Sequence, residues 1–423
     1  AARILTGAVT AALGRYLQNR APRGPWQLEG CARAGLAGAV VIPALAEEAS
    51  LLPTLASLAA NPPERLADFL VVVVVNHRPS ATAADQADNQ RLLQRLRRGD
   101  APPELALAWV DAASPGLELP AKEGVGLARK IGLDLALSRL DFSRRPLLAC
   151  LDADTLVEST YLCALQQHFA TATAGGAVLP FRHQDPADPA QRLAIEQYEL
   201  FLRAHQLGLT LAGSPYAYIS IGSALACRAE AYLGAGGMNC RTAGEDFYFL
   251  QRLAKTCGVA QLRGTTVHPS ARPSARTPFG TGRSVERLLS EGSDAVLCYP
   301  PQAYRLLAAW LQQVTASPGA SAETLLQAAE ELHPVLAQFL TLRGWSQIWP
   351  ALQRNHPRPQ GLLAAFHGWF DALKTVQFIH QLCAGPWPRQ PAATALPPLL
   401  SWAGLAVPSC PREQLELLRR HLS

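Results

Sequence analysis

The sequence predicts an α/β chain: a mostly parallel sheet flanked by helices, followed by a helical C-terminal region. Three observations predict it. Short apolar runs alternate with amphipathic segments from Gly38 to about Phe181. The runs are apolar almost throughout, with five consecutive valines at 71–75, as strands buried on both faces require. After about Ser284 the strand-like alternation stops, and six of the eight tryptophans stand between 310 and 402.

Taken in order, residues 1–15 carry apolar residues at helical spacing and lack the basic, apolar and cleavage regions of a signal peptide. Residues 39–42 form a β-branched strand ended by Pro43. A helix over 51–60 is closed by Asn61-Pro62-Pro63. Strands follow at 69–75, 105–110, 147–151 and 177–181, with helices over 85–98, 124–140 and 159–170 between them. Another strand is expected at 259–267, and the tail reads as helices broken by prolines. The expected divisions are an N-terminal helical extension (1–37), a sheet domain (38–285) and a helical region (286–423). In open parallel sheets, ligands sit outside the carboxyl ends of the strands. Chemistry is therefore expected just after Ile42, Val75 and Leu151.

Composition narrows the class. Of 423 residues, 49% are hydrophobic and 17% charged, which excludes global disorder. The net charge of +5 over this length is too weak a footprint for a nucleic-acid partner. Nine cysteines without a C-x-x-C pair read as reduced thiols, not a structural zinc site. The uncharged stretches 206–227 and 390–411 are interrupted by prolines and hydroxyls, so no transmembrane segment is expected. These features together predict a cytoplasmic protein.

Four constellations carry the candidate chemistry. Asp152-Ala153-Asp154 follows an apolar strand directly; two carboxylates at that spacing can share a hard divalent cation such as Mg2+ or Mn2+. The bland reading is a helix N-cap at Asp154 or Thr155. Glu245 and Asp246 open an amphipathic helix after a glycine-rich turn. Acids there stabilise a helix start, or one of them acts as a general base. His268 follows an apparent strand and precedes Arg272, Arg276 and Arg283 in a segment of Gly, Pro and Ser, a loop composition. Guanidinium forks of this kind match phosphate oxygens. Gly124 and Gly126 begin a helix carrying Arg129, which reads as a helix N-terminus offering N–H groups and a guanidinium to an anion. It is not a dinucleotide fingerprint, because no third glycine falls at the required spacing.

In this order the motifs resemble the family-2 glycosyltransferases of the GT-A fold, a Rossmann-like nucleotide-sugar-binding architecture. Val40 to Glu48 is similar to the opening strand and P-x-x-N-E turn. Gly126 to Gly132 is similar to the A-R-N-x-G helix, and Asp152-Ala153-Asp154 to the D-x-D. Gly236-Gly237-Met238 with Gly244-Glu245-Asp246 is similar to the G-G-F and E-D pair. The resemblance covers about residues 38–285. It implies a nucleotide-diphosphate sugar as donor, a divalent cation (Mn2+ or Mg2+) as cofactor, and an inverting transfer to an acceptor hydroxyl on a sugar, small molecule or lipid-linked glycan. Carried over by position, Pro43, Ala44 and Glu47 would line the nucleoside pocket, with Asn76 at the base and Arg129 near the nucleotide. Asp152 would face ribose or donor sugar, Asp154 and His268 would ligate the metal, and Asp246 of the E-D pair would be the base.

The chain departs from the pattern at three places. Ala46 stands where the first turn usually has Asn, Asn76-His77-Arg78 follows the second strand in place of an acidic pair, and Lys130 replaces the Asn after Arg129. No Q-x-x-R-W motif is evident, which implies single addition over processive synthesis. A catalytically inactive nucleotide-sugar-binding partner protein is the alternative from another class. A nucleotidyltransferase would need a Gly-rich phosphate loop after the first strand, where this chain has Pro43-Ala44-Leu45-Ala46-Glu47-Glu48.

Overall fold

A computed structural model of the protein describes residues 2–274 and 280–422. Its contacts divide the chain into two compact units: residues 1–186 with 220–283, and residues 187–219 with 284–422.

Among the described residues, the first unit is built on ten strands: β1 (Glu29–Gly30), β2 (Gly38–Ala44), β3 (Phe69–Asn76), β4 (Ala106–Ala112), β5 (Leu147–Cys150), β6 (Leu156–Val157), β7 (Gly176–Val178), β8 (Leu225–Arg228), β9 (Val259–Gln261) and β10 (Val267–His268). Eight of them form one sheet in the order β1-β4-β3-β2-β5-β8-β7-β9, while β6 and β10 make a separate ribbon. The core of the sheet, β4-β3-β2-β5, is parallel throughout. Every residue of β3 is buried, as its valine run requires when helices cover both faces. Helices Glu48–Ala59, Ala83–Arg98 and Val125–Ala136 make the crossovers. The last of these lies close on the sheet because residue 132 is glycine: a Cβ there would run into Val41 and Val74.

The sheet differs from the sequence expectation at its far side. The strand β8 went unread; it is four residues long and lies antiparallel between β5 and β7. Its short, fully buried run, leading directly into the helix Ala229–Gly234, cannot be told from a buried helix segment by periodicity. The single strand expected over 259–267 is two: β9 pairs with β7, and β10 pairs with β6. Gly264, with φ +91°, turns the chain between them.

In the second unit, the helix Pro189–Leu211 packs Leu200, Ala204, Leu207 and Leu209 into the same core as Trp310, Trp345, Trp349 and Phe366. The division expected at residue 285 leaves this helix with the sheet. The structure places it in the helical unit because Gly208 admits the ring of Tyr304, whose atoms would lie 2.6 Å from a Cβ. Trp345 and Trp349 are fully buried, stack at 5.1 Å, and donate their indole N–H groups to the carbonyls of Ala322 and Ala320. Several prolines of the tail (Pro301, Pro334, Pro359 and Pro411) start helices and do not break them. The first turn needs no N–H from that position. No helix among the described residues is long and apolar enough to cross a membrane.

Candidate functional site

The chain leaves β2, builds β3 and β4 on one side, then returns to place β5 on the other side of β2. The carboxyl ends of β2 and β5 therefore flank the switch point of the sheet, where open α/β folds form a crevice. Glu47 follows β2, and Asp152 and Asp154 follow β5.

At the end of β2, Pro43 is partly exposed while Ala44 is fully buried. Ala44 thus offers its backbone, and its carbonyl accepts a hydrogen bond from the Asn76 amide (3.2 Å), which also donates to Val74 (3.0 Å). The amide that the sequence reading aims at a base therefore holds two strand ends. The Asn76 carbonyl accepts from the buried Asn89 side chain (3.0 Å), whose oxygen accepts from the Ala46 N–H (2.9 Å). Ala46 has φ +52°, a left-handed conformation that costs a residue with a Cβ about 1–2 kcal/mol. Ala46→Gly is accordingly expected to stabilise the first unit by about 0.5–1 kcal/mol, net of glycine's backbone entropy. Native-state hydrogen exchange at the amides of β2 and β3, which belong to the first unit, measures it.

Arg129 stands on the helix Val125–Ala136 and is 2% exposed. The glycines before it serve packing: a Cβ on Gly126 would lie 2.5 Å from the Asn239 carbonyl, and the Gly126 N–H donates to the Arg241 carbonyl (3.0 Å). That N–H is engaged by protein. Arg129 Nε donates to Glu245 Oε1 (2.9 Å), and Nη2 forms an ion pair with Asp152 Oδ1. Gly222 leaves the space that Nη2 occupies. The neighbouring Cys150 thiol is pushed up to about 12, chiefly by burial, and is a neutral packing group.

Asp154 ion-pairs through Oδ2 with Arg272 Nε (2.9 Å), and Arg272 Nη2 also contacts Glu47. Burial, then the charge of Asp152, pushes the Asp154 carboxyl up to about 6, against the pull of Arg272. Glu47 is 7% exposed. One guanidinium thus joins the loops after β2 and β5, and the other joins the β5 loop to the helix Glu245–Thr256.

That helix starts at Gly244, whose φ of +69° turns the chain into it. Glu245 is buried against Arg129, and Asp246 is half-buried with Oδ1 accepting from the Phe247 N–H (2.7 Å). Burial, then the adjacent charge of Glu245, pushes the Asp246 carboxyl up to about 7; Arg129 pulls the other way.

The structure therefore brings Glu47, Arg129, Asp152, Asp154, Glu245, Asp246 and Arg272 into one cluster. The imidazole of His268 is not part of it. On β10, His268 sits opposite Leu156; its Nδ1 is 3.1 Å from the Arg182 carbonyl and its Nε2 3.6 Å from Glu158 Oε1. Its backbone is close to the D-x-D nonetheless, since Gln184 Nε2 donates to the carbonyls of both Asp154 and His268 (2.8 Å each). Among the described residues, no three His, Cys, Asp or Glu side chains converge as a ready metal cage. Arg283 is half-buried at the start of the helix Thr281–Glu291, and Arg276 lies outside the described residues.

Sequence reasoning missed Gln184, Glu158 and Gly222, which act through contacts distant along the chain. It also gave no role to Lys130. This side chain is buried, bonded to Asp134 (3.0 Å) and to the Tyr16 hydroxyl (2.6 Å) on the helix Ala2–Asn19. Tyr232 donates to the same Asp134 (2.6 Å). The replacement at 130 thus serves to dock the N-terminal helix.

No protein-family model matches the chain, and no curated protein matches its sequence. Solved structures similar to it include the 1–349 portion of TarS from S. aureus in complex with UDP-GlcNAc. That likeness has 12% identity and a TM-score of 0.38, and covers 83% of this chain and 92% of that one. Another is the mannosyltransferase PcManGT from Pyrobaculum calidifontis in complex with GDP-Man and Mn2+, at 18% identity and a TM-score of 0.35, covering 99% and 96%.

Proposed function

We propose that this chain is a glycosyltransferase of the family-2 type, moving a sugar from a nucleotide-diphosphate donor to an acceptor hydroxyl with inversion. The observation that carries the reading is the charged cluster at the sheet's switch point. Four carboxylates (Glu47, Asp152, Asp154, Glu245) share two guanidinium groups, Arg129 and Arg272, and a fifth, Asp246, stands beside Glu245 within the field of Arg129.

The donor set fits a hard divalent cation. Carboxylate oxygens are its chemistry, and the excess of negative charge favours it. A Mg2+-like ion is commonly held by one or two carboxylates together with substrate phosphates. Asp154 would hold the ion, and His268 would join only by turning Nε2 away from Glu158. When bound, the cation supplies Lewis-acid stabilisation of charge on the leaving diphosphate.

The chain's own residues do the rest. Asp246 accepts the proton of the acceptor O–H. The acceptor oxygen then bonds to the anomeric carbon as the carbon–oxygen bond to diphosphate breaks, and its electron pair leaves with the nucleoside diphosphate. Arg272, with Arg276 and Arg283 of the same segment, would meet the donor phosphates; Arg272 exchanges its carboxylate partners for phosphate oxygens. Pro43 and Glu47 would line the nucleoside pocket, with Asp152 toward the ribose or donor sugar.

Structural roles for the departures from the family pattern support an enzyme over an inactive binding partner. Ala46 and Lys130 are held by hydrogen bonds within the fold, while the groups with chemical roles remain. The test is a thermal-shift screen with UDP and GDP, with and without Mn2+, followed by donor hydrolysis assays with UDP- and GDP-sugars. A nucleotide at 100 times its Kd stabilises by about 2.7 kcal/mol. That stabilisation is expected to need the metal and to be largely lost in Asp154→Asn. Metal-dependent binding without turnover of any donor would favour the binding-partner reading, and no nucleotide binding would reject both.

A further inference from the structure

We infer that Arg129 is a positioning residue that touches no donor atom: clamped between Asp152 and Glu245, it fastens the start of the helix Glu245–Thr256 to the loop after β5 and so sets where the Asp246 carboxylate stands. The inference rests on the transferase reading and departs from it on one point, the placing of Arg129 near the nucleotide.

Geometry argues for the clamp. Arg129 is 2% exposed, and its Nη1 is sealed from solvent without a hydrogen-bond partner, so the guanidinium is closed off by protein. Its other nitrogens meet one carboxylate from each of two elements, Asp152 after β5 and Glu245 at the helix start. The seat is built for it. Gly222 gives up its side-chain volume to Nη2, and Gly126 lets the Arg129 helix press on the backbone of Asn239 and Arg241, just before the turn into Glu245. Asn239 Nδ2 closes the same turn by donating to the Glu245 carbonyl (2.8 Å). A guanidinium holding two anions from different elements is the arrangement in which a fork outperforms an ammonium.

The clamp has an electrostatic consequence at Asp246. The charged groups facing that carboxyl are Glu245 on its own helix, Asp152 from the β5 loop and Arg129 from the helix Val125–Ala136. The two acids raise its affinity for a proton, and Arg129 lowers it. Without Arg129, the base would sit beside two uncompensated carboxylates and hold its proton to higher pH.

The experiment titrates Asp246 directly. In protein carrying 13Cγ-labelled aspartate, its resonance is assigned by its loss in Asp246→Asn. The midpoint is expected near 7 in the wild type. It should rise by about one pH unit or more in Arg129→Gln and fall by about one in Glu245→Gln. Should Arg129→Gln fail to fold, Glu245→Gln still decides, because its amide oxygen keeps the hydrogen bond from Arg129 while the charge is gone. The Kd for UDP and for GDP should stay within about twofold in Glu245→Gln, and in Arg129→Gln should change no further than in Asp152→Asn, through which Arg129 would act. An unmoved midpoint in either variant, or a loss of nucleotide affinity of about tenfold or more in Arg129→Gln that is added undiminished on top of Asp152→Asn, overturns the inference. Failure of the transferase reading looks different: the wild type turns over no donor while the midpoints still move in opposite directions.

Discussion

Asp246→Asn is expected to slow transfer by about 10²–10⁴-fold, the usual worth of a positioned general base, while the Kd for UDP or GDP stays within about twofold. Its carboxyl is held up to about 7 by burial and by Glu245, so the wild-type rate should climb as pH rises through 7 and the base loses its proton. The same shift has a stability signature of opposite sense. A carboxyl whose folded pKa exceeds its ordinary 3.8 binds a proton more tightly in the native state. It therefore favours folding at low pH, and this contribution is lost as pH rises from about 4 through 7. Asparagine carries no such ionisation. The variant should melt at a higher temperature than wild type at pH 8 and at nearly the same temperature at pH 4. Product formation against pH and calorimetric melts at the two pH values check both halves. An Asp246→Asn protein that transfers at the wild-type rate removes Asp246 from the mechanism.

The second large effect lies in the helical unit. Glu199 is fully buried and binds both Arg203 and Arg419: Oε1 accepts from Arg203 Nε (2.9 Å), and Arg419 contacts both oxygens at 2.8 and 2.9 Å. Arg203 is itself 2% exposed, and burial lowers the pKa of its guanidinium. Removing the shared carboxylate leaves Arg419 paired with Glu416 (2.7 Å) but breaks the fully buried pair with Arg203, and breaking a buried pair from one side costs about 3–5 kcal/mol. Glu199→Ala should lower the unfolding free energy of the second unit by that amount, read as a lower denaturant midpoint at unchanged slope. Tryptophan fluorescence reads it well, because Trp310, Trp345, Trp349, Trp369, Trp387 and Trp402 all belong to this unit. A matched apolar replacement of Glu199, Arg203 and Arg419 together should recover most of the loss, since the desolvation cost disappears with the charges. A loss below about 1 kcal/mol in Glu199→Ala would mean that water reaches the site.

Much of the candidate site was legible in the sequence because local rules place its parts. The acids at 152 and 154 follow a strand end, and those at 245 and 246 open a helix; both positions can be read from hydrophobic spacing alone. The role of Arg129 was not legible in this way. Its sequence context, a glycine-rich helix start, suits an anion site as well as a buried clamp, and only Asn239, Arg241 and Gly222 distinguish them. His268 gives the same lesson. Its place after a strand was readable, whereas the approach of Glu158 to its Nε2 follows from the pairing of β10 with β6.

The sequence by itself determined the α/β class, the parallel central strands, the helical tail and the positions of the acidic pairs. Each depends on a periodicity of two or of 3.6 residues, or on a turn signal a few residues away. Tertiary structure alone decided that the helix Pro189–Leu211 joins the tail's core, that β8 enters the sheet, and that Arg129 and Arg272 each bridge two carboxylates. Those outcomes depend on contacts between residues far apart in the chain, whose free energy comes from burial and charge pairing in the assembled fold and leaves no local pattern to read.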